Sequence, residues 1–241
     1  MLTFFRNLFS PPRHMILLVA SVWIGLALAE KRAERHGISK ENLNNITFYG
    51  LIAFIIGGRV SFVLQNFPAY IKSPLGVLSI NPDVFDPLGA IAIALIVMLI
   101  YGQRRALSFW HTLDALTPFF ASLSIGLGLS HLAAGTAFGK ETTLAWAINL
   151  WNASRHPTQI YESLASLLIF TLLWLKKPDP HPGVLFLTFA ALTAGSQLFI
   201  QAFRGDSIFV LNGFRQTQII DWIVLLFVLI MLEIRLNKKL A

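Results

Sequence analysis

Stretches of about 16 to 20 residues that show no polar face decide what this chain can fold into. They recur at about 14–30, 47–66, 87–102, 112–132, 158–175, 183–202 and 217–236. A soluble helix of that length turns a charged stripe to water, whereas a helix without one is solvated by lipid. Only 13% of the 241 residues are charged and 55% are hydrophobic; soluble domains carry roughly 25% charged residues. The 20 Phe and 6 Trp fit the same solvent. The expected fold is all-α: a polytopic membrane helix bundle of about seven transmembrane helices, one transmembrane domain over 1–241.

Charge placement sets the expected orientation. Lys31, Arg32, Arg35 and Lys40 follow the first run, Arg104 and Arg105 the third, and Lys176 and Lys177 the fifth. Arg235, Lys238 and Lys239 lie in the tail. With seven spans these short basic connections share one side, which the positive-inside rule makes cytoplasmic. The amino terminus is then outside and the carboxyl terminus cytoplasmic. Longer connections on the other side carry Lys72, Lys140, Arg155, Arg204 and Arg215. The net charge of +7 is therefore spread as topology, not gathered as a phosphate-binding patch, so the expected environment is the lipid bilayer and no nucleic acid.

Other signals narrow the reading. No cysteine is present, which excludes disulfides, a thiol nucleophile and thiolate metal ligands; no metal or cofactor is expected. The first run passes straight into Glu30-Lys31-Arg32 with no small-residue cleavage site, so it reads as a retained helix. Prolines break the helices at 176–182, at Asn66-Phe67-Pro68 and at Asn81-Pro82-Asp83. No internal repeat supports an inverted-repeat transporter.

Polar groups at membrane depth are costly, and each poses a functional question. Arg59 follows Gly57-Gly58 in an apolar run; it reads either as an arginine snorkelling to headgroups or as a guanidinium gripping a lipid phosphate. The richest stretch is Arg155-His156-Pro157-Thr158-Gln159-Ile160-Tyr161-Glu162. Pro157 suits a first helical turn, which leaves Arg155 and His156 at a helix start, where free N–H groups favour an anion. Glu162, one turn inside, calls for an arginine from another helix; the blander reading is an interfacial cap with a salt bridge. Gln197 and Gln201 precede Phe203-Arg204-Gly205-Asp206 on nearly one face, and such glutamines often join helices. Asp114 reads as a helix-end or packing carboxylate, and His131 as an interfacial histidine or a proton acceptor. Arg59, His131, Lys140, Arg155, His156, Glu162 and Arg204 all fall in the outer half, where a cationic cluster suits an anionic phospholipid headgroup.

These residues resemble the prolipoprotein diacylglyceryl transferase family over most of the chain. The most specific piece is 155–162, very close to the family's Arg-His-Pro-Ser-Gln-Leu-Tyr-Glu. Gly57-Gly58-Arg59 with Val63-Leu64 and Asn66-Phe67-Pro68, the pair Asp114 and Pro118, and Phe203-Arg204 are also similar. The resemblance implies seven helices with the amino terminus outside, in the bacterial plasma (inner) membrane. It also implies transfer of a diacylglyceryl group from phosphatidylglycerol to the cysteine thiol of a prolipoprotein lipobox, with release of glycerol phosphate. No cofactor is expected, and a monomer is the expected state.

Carried onto this chain, the resemblance assigns lipid phosphate binding and site organisation to Arg59, Lys140, Arg155, Gln159, Tyr161, Gln197 and Arg204. Where the family's own residues are missing, Asp86, His131 and Lys140 read as a rearranged set; the catalytic roles expected are those of Asp86, His131, His156 and Glu162, with Asp86 or His131 taking the proton. The chain departs from the family in places. The family histidine before the third span falls on Asp86, and its arginine in the fourth span on Gly128. An arginine and a glutamate of the sixth span fall on Gln197 and Gln201, and an arginine just after the fourth span on Lys140. These departures motivate an alternative, a catalytically silent relative that binds anionic phospholipid or lipoprotein precursor; a small transporter is a third reading.

Overall fold

The computed structural model describes residues 13–78, 84–210 and 213–237. The turn expected at Asn81-Pro82-Asp83 and the tail lysines Lys238 and Lys239 lie outside them. Among the described residues there are eight α-helices and two small hairpins, and six helices are long and apolar enough to cross a membrane. The protein is a polytopic helical membrane protein.

The residues divide into two compact units, Ala33–Thr112 and the remainder. In the remainder, α1 (Arg13–Ala33) precedes the break. Within Ala33–Thr112, α2 (Lys40–Gln65) starts well before the expected residue 47. Ser39 accepts a hydrogen bond from Asn42 N at 3.2 Å, and this cap lets the helix begin in polar residues that hydropathy alone does not include. A short helix, α3 (Phe67–Lys72), and a 3-10 turn (Pro74–Leu78) lead to α4 (Pro87–Arg104). Helices α2 and α4 lie side by side because small residues let them. A side chain at Gly57 would strike Ile93, one at Gly58 the ring of Phe85, and Ala90 and Ala94 are buried. Close backbone approach at small residues is how helices associate where lipid is as apolar as leucine.

In the other unit, α5 (Phe109–Ala134), α6 (Thr158–Leu175), α7 (Val184–Gln201) and α8 (Gln216–Leu236) join α1. The expected span at 158–175 coincides with α6. Gly126 receives Ser21 of α1, and Ser122 Oγ donates to Ser21 O at 3.0 Å. Ala121, Ile169, Leu173 and Phe189 form a core between α5, α6 and α7. Asp114, buried in α5, accepts from Gly183 N at 2.6 Å and Phe186 N at 2.9 Å and so satisfies two free N–H groups at the start of α7. The helix-end role read for Asp114 is thus played toward a different helix.

Outward faces are apolar. Leu164, Leu168, Leu172 and Leu175 form one exposed stripe of α6, and Trp222, Ile223, Leu226, Phe227 and Ile230 lie exposed on α8. In water such stripes would drive aggregation; in lipid they are the solvated surface.

Candidate active site

The site is built where three connections meet the ends of α5, α6 and α7. At the start of α6, Thr158 and Gln159 are fully buried. Thr158 Oγ1 donates to Ala137 O at 2.6 Å and Gln159 Nε2 to Thr136 O at 2.8 Å, which ties the chain leaving α5 to the first turn of α6. Residues 138–141 then run between two other segments. On one side Lys140 N donates to Phe203 O and Gly205 N to Phe138 O, each at 2.8 Å. On the other, His156 N donates to Lys140 O and Thr142 N to Ser154 O, each at 2.9 Å. Gly139 permits this approach, since a Cβ there would collide with the backbone of His156. Strands β1 (Ile148–Leu150) and β2 (Ala153–Arg155) extend the pairing as a hairpin. Its turn, Trp151-Asn152, has φ of 56° and 60°, the left-handed geometry a tight hairpin needs.

This framework gathers charge around Glu162. Its side chain is 7% exposed, and Oε1 accepts from Arg204 Nη1 at 2.8 Å. Oε2 lies 3.1 Å from His131 Nδ1. Arg204 also grips Asp206 with two bonds, Nε to Oδ1 at 2.8 Å and Nη2 to Oδ2 at 3.1 Å. An ionised carboxylate can only accept, so in a neutral imidazole this contact puts the proton on Nδ1 and leaves Nε2 its lone pair. The His131 side chain is 38% exposed, so a substrate can reach it. A carboxylate behind an imidazole fixes its tautomer and stabilises the imidazolium once it takes a proton.

Gly128, one turn before His131, makes that pairing possible. A Cβ there would strike Ser163 Oγ and lie 2.9 Å from Ser163 N and 3.0 Å from Gln159 O. Backbone contact at Gly128 closes α5 onto α6, and the next turn brings His131 to Glu162.

Beside the cluster is an open, apolar pocket of about 440 Å³ between α6 and α7. His156, Tyr161 and Trp146 form its polar corner. Trp146 Nε1 donates to Tyr161 Oη at 2.9 Å, the His156 ring lies against Phe203 with centroids 5.1 Å apart, and its Nδ1 is 3.5 Å from Tyr161 Oη.

Not every expected residue joins the cluster. Arg155 turns to the connections instead, donating to Leu150 O at 3.1 Å, Gly139 O at 3.4 Å and Glu141 Oε1 at 3.3 Å. Lys140 contributes its backbone, and its side chain is exposed. Gln201 is buried and Gln197 half-buried on α7. In the Ala33–Thr112 unit, Arg59 Nη1 donates to Val84 O at 2.9 Å, and Nη2 to Val77 O and Gly76 O at 3.4 and 3.5 Å. Asp86 caps α4, accepting from Leu88 N at 3.3 Å and Gly89 N at 3.0 Å, and receives Ser61 Oγ at 2.6 Å and Gln65 Nε2 at 2.8 Å. Chiefly the Ser61 hydroxyl, helped by the Gly89 and Leu88 amides and by Gln65, holds its carboxyl below the usual carboxylate range, against a desolvation effect second in size only to that of Ser61.

Sequence reasoning missed Asp206 as a partner of Arg204, Trp146, and the buried Arg215. Arg215 donates to Ala202 O at 3.3 Å and Arg204 O at 3.2 Å, closing the carboxyl end of α7. The spacing Arg204-Gly205-Asp206 was a usable signal for the first; nothing in the sequence marked Trp146.

A profile of the family described as prolipoprotein diacylglyceryl transferase matches residues 13–234. The chain belongs to this family. Relatives named phosphatidylglycerol–prolipoprotein diacylglyceryl transferase include one from Limosilactobacillus reuteri, 29% identical over 93% of this chain and 86% of its own length. One from Finegoldia magna is 27% identical over 93% and 90%, and one from Nitrosomonas europaea 31% identical over 70% and 63%. In this family member, the position to which the resemblance assigns an arginine, Gly128, is filled by helix packing, and a His131–Glu162 pair stands one turn away.

Proposed function

We propose that this chain transfers a diacylglyceryl group from phosphatidylglycerol to the lipobox cysteine thiol of a prolipoprotein, releasing glycerol phosphate. The observation that carries this is the buried Glu162 carboxylate bridging His131 and Arg204 in a member of the prolipoprotein diacylglyceryl transferase family. Nε2 of His131 takes the thiol proton and Glu162 stabilises the resulting imidazolium. The thiolate attacks the terminal glycerol carbon of the diacylglyceryl group; a C–S bond forms, and the C–O bond to phosphate breaks with its electrons leaving on the phosphate. Arg204 and Lys140 favour the charge that gathers there. His131 is the better base than Asp86, whose oxygens are committed to four donors and whose carboxyl is acidified. Arg155 serves by holding 139–141 and 150 together, and Arg59 by ordering the connection before α4.

The chain acts as a monomer with seven spans in the bacterial inner membrane, α8 being the seventh, the amino terminus outside and the carboxyl terminus cytoplasmic. The basic short connections support that orientation. The test is transfer in proteoliposomes containing phosphatidylglycerol and a lipobox peptide, read as thioether product by mass spectrometry and as released glycerol phosphate. Product from the wild-type chain and none from His131→Ala is expected. Lipid binding without either product would remove the reading and leave a silent relative.

A further inference from the structure

The contact between Arg204 and Asp206 does something that the proton transfer above does not require. Asp206 takes one edge of the guanidinium, Nε donating to Oδ1 at 2.8 Å and Nη2 to Oδ2 at 3.1 Å, while Nη1 donates to Glu162 Oε1 at 2.8 Å. Three of the five N–H groups are thus spent on carboxylates, and one remains on each terminal nitrogen for an incoming anion. That remainder can be reached, since the Arg204 side chain is 17% exposed and that of Asp206 26%.

Asp206 is not a loose surface group. Gly205 N donates to Phe138 O at 2.8 Å, a Cβ on Gly205 would lie 2.7 Å from Gly139 O, and Arg215 Nη2 donates to Arg204 O. The backbone on both sides of the pair is held, so an anion that reaches Arg204 meets Asp206 in place.

Charge then decides which anion stays. Glu162 and Asp206 face one guanidinium, so with a neutral His131 the cluster carries one negative charge in excess. Neighbouring cations are engaged elsewhere or turned outward. Arg215 is buried on the carbonyls of Ala202 and Arg204, Arg155 pairs with Glu141, and the Lys140 side chain is exposed. A phosphodiester brings a single charge, whereas a phosphate monoester brings about 1.5 to 2 at neutral pH. While His131 holds a thiol proton the excess is cancelled. Once that proton leaves, the repulsion returns and bears hardest on the monoester.

We propose that Asp206 sets the charge selectivity of the Arg204 site, admitting a singly charged phosphodiester and expelling the doubly charged phosphate monoester made from it. Asp206 is then a specificity residue that clears the product, not a catalytic one. The identity of the two anions as lipid headgroup and released glycerol phosphate rests on the transfer reading above.

The experiment titrates two water-soluble anions, glycerol phosphate and its diester glycerophosphoglycerol, into the full chain in phosphatidylcholine nanodiscs. Titration calorimetry is run at pH 8, well above the second phosphate pKa of about 6. The wild type should bind the diester about tenfold more tightly than the monoester. Asp206→Asn should bring the two within about threefold, through a gain for the monoester, and Asp206→Glu should keep the wild-type preference. In the transfer assay, Asp206→Asn should lower Ki for glycerol phosphate about tenfold. An equal gain for both anions would mean that Asp206 only occupies the place of the phosphate, and an equal loss that it only holds Arg204 still; either overturns the proposal. So would an unchanged preference in Asp206→Asn, or a wild type that binds neither anion or both equally. A shifted preference without thioether product keeps the selectivity and removes the transfer; thioether product with an unshifted preference does the reverse.

Discussion

Nδ1 of His131 lies 3.1 Å from Oε2 of Glu162, a carboxylate on the neighbouring helix that also receives Arg204 at 2.8 Å. One buried acid thus joins a candidate base to a candidate phosphate-facing cation. Removing it separates the two roles.

Glu162→Ala takes one of two carboxylates from Arg204, which keeps Asp206, and losing such a charge-assisted hydrogen bond costs about 1.5–3 kcal/mol. A lowered thermal midpoint in detergent is expected. Glu162→Gln keeps the volume but loses the charge behind the imidazole, so kcat should fall about 100-fold with KM for lipid nearly unchanged. Steady-state transfer assays on both variants check this.

The choice of base can be read from two substitutions. His131→Ala should lose transfer by about 100-fold or more. Asp86→Asn should retain most of it, because Asp86 caps α4 and is acidified by Ser61 and the amides of Gly89 and Leu88. A loss in Asp86→Asn larger than that in His131→Ala would assign the proton to Asp86.

Asp86 also predicts a pH dependence of stability. Its folded pKa is depressed, so its contribution is present above the unfolded value and is lost as pH falls through the folded one. The gap in thermal midpoint between wild type and Asp86→Ala should therefore persist through about pH 4, the ordinary carboxylate value. It should close only at more acid pH. Thermal scans across that range measure it.

At Gly128 a methyl group already collides with Ser163 and crowds Gln159 O. Gly128→Ala should destabilise by about 1–3 kcal/mol, as overpacking does, and Gly128→Arg by more, without raising the transfer rate. Ser163→Gly should recover part of the Gly128→Ala loss, because the serine side chain supplies the closest contact. Thermal midpoints of the single and double variants form the test.

Arg215 donates to Ala202 O and Arg204 O from a buried position. Arg215→Leu strands two carbonyls and frees the turn that aims Arg204, at a cost of about 2–3 kcal/mol. Transfer should decline further than stability alone explains, which activity measured well below the thermal midpoint will reveal.

The membrane helices were legible because hydropathy is a property of a run of residues. Thr158–Leu175 has the bounds the apolar run predicts. Helix α2 begins at Lys40 because Ser39 caps it, a local signal the apolar count passes over. At the site, the motif at 155–162 flagged Glu162, and a need for an arginine partner followed from its depth; Arg204 supplies it. The role of Arg155 was not legible, since its partners Leu150, Gly139 and Glu141 come from connections whose path depends on pairing between distant segments. Arg215 was hidden for the same reason, because a short polar stretch carries no periodicity that says where it folds back; Asp206, two residues from Arg204, was open to a local reading of the spacing.

The pairing of Lys140 with Phe203 and of Gly205 with Phe138 ties the chain after α5 to the chain after α7. During synthesis the first segment emerges long before the second. His131, Lys140 and Glu162 are all made while Arg204 is still untranslated, so a nascent or truncated chain ending before residue 203 carries a histidine and a carboxylate but no closed site. Closure of the candidate site therefore waits, in biogenesis, for delivery of the connection after α7.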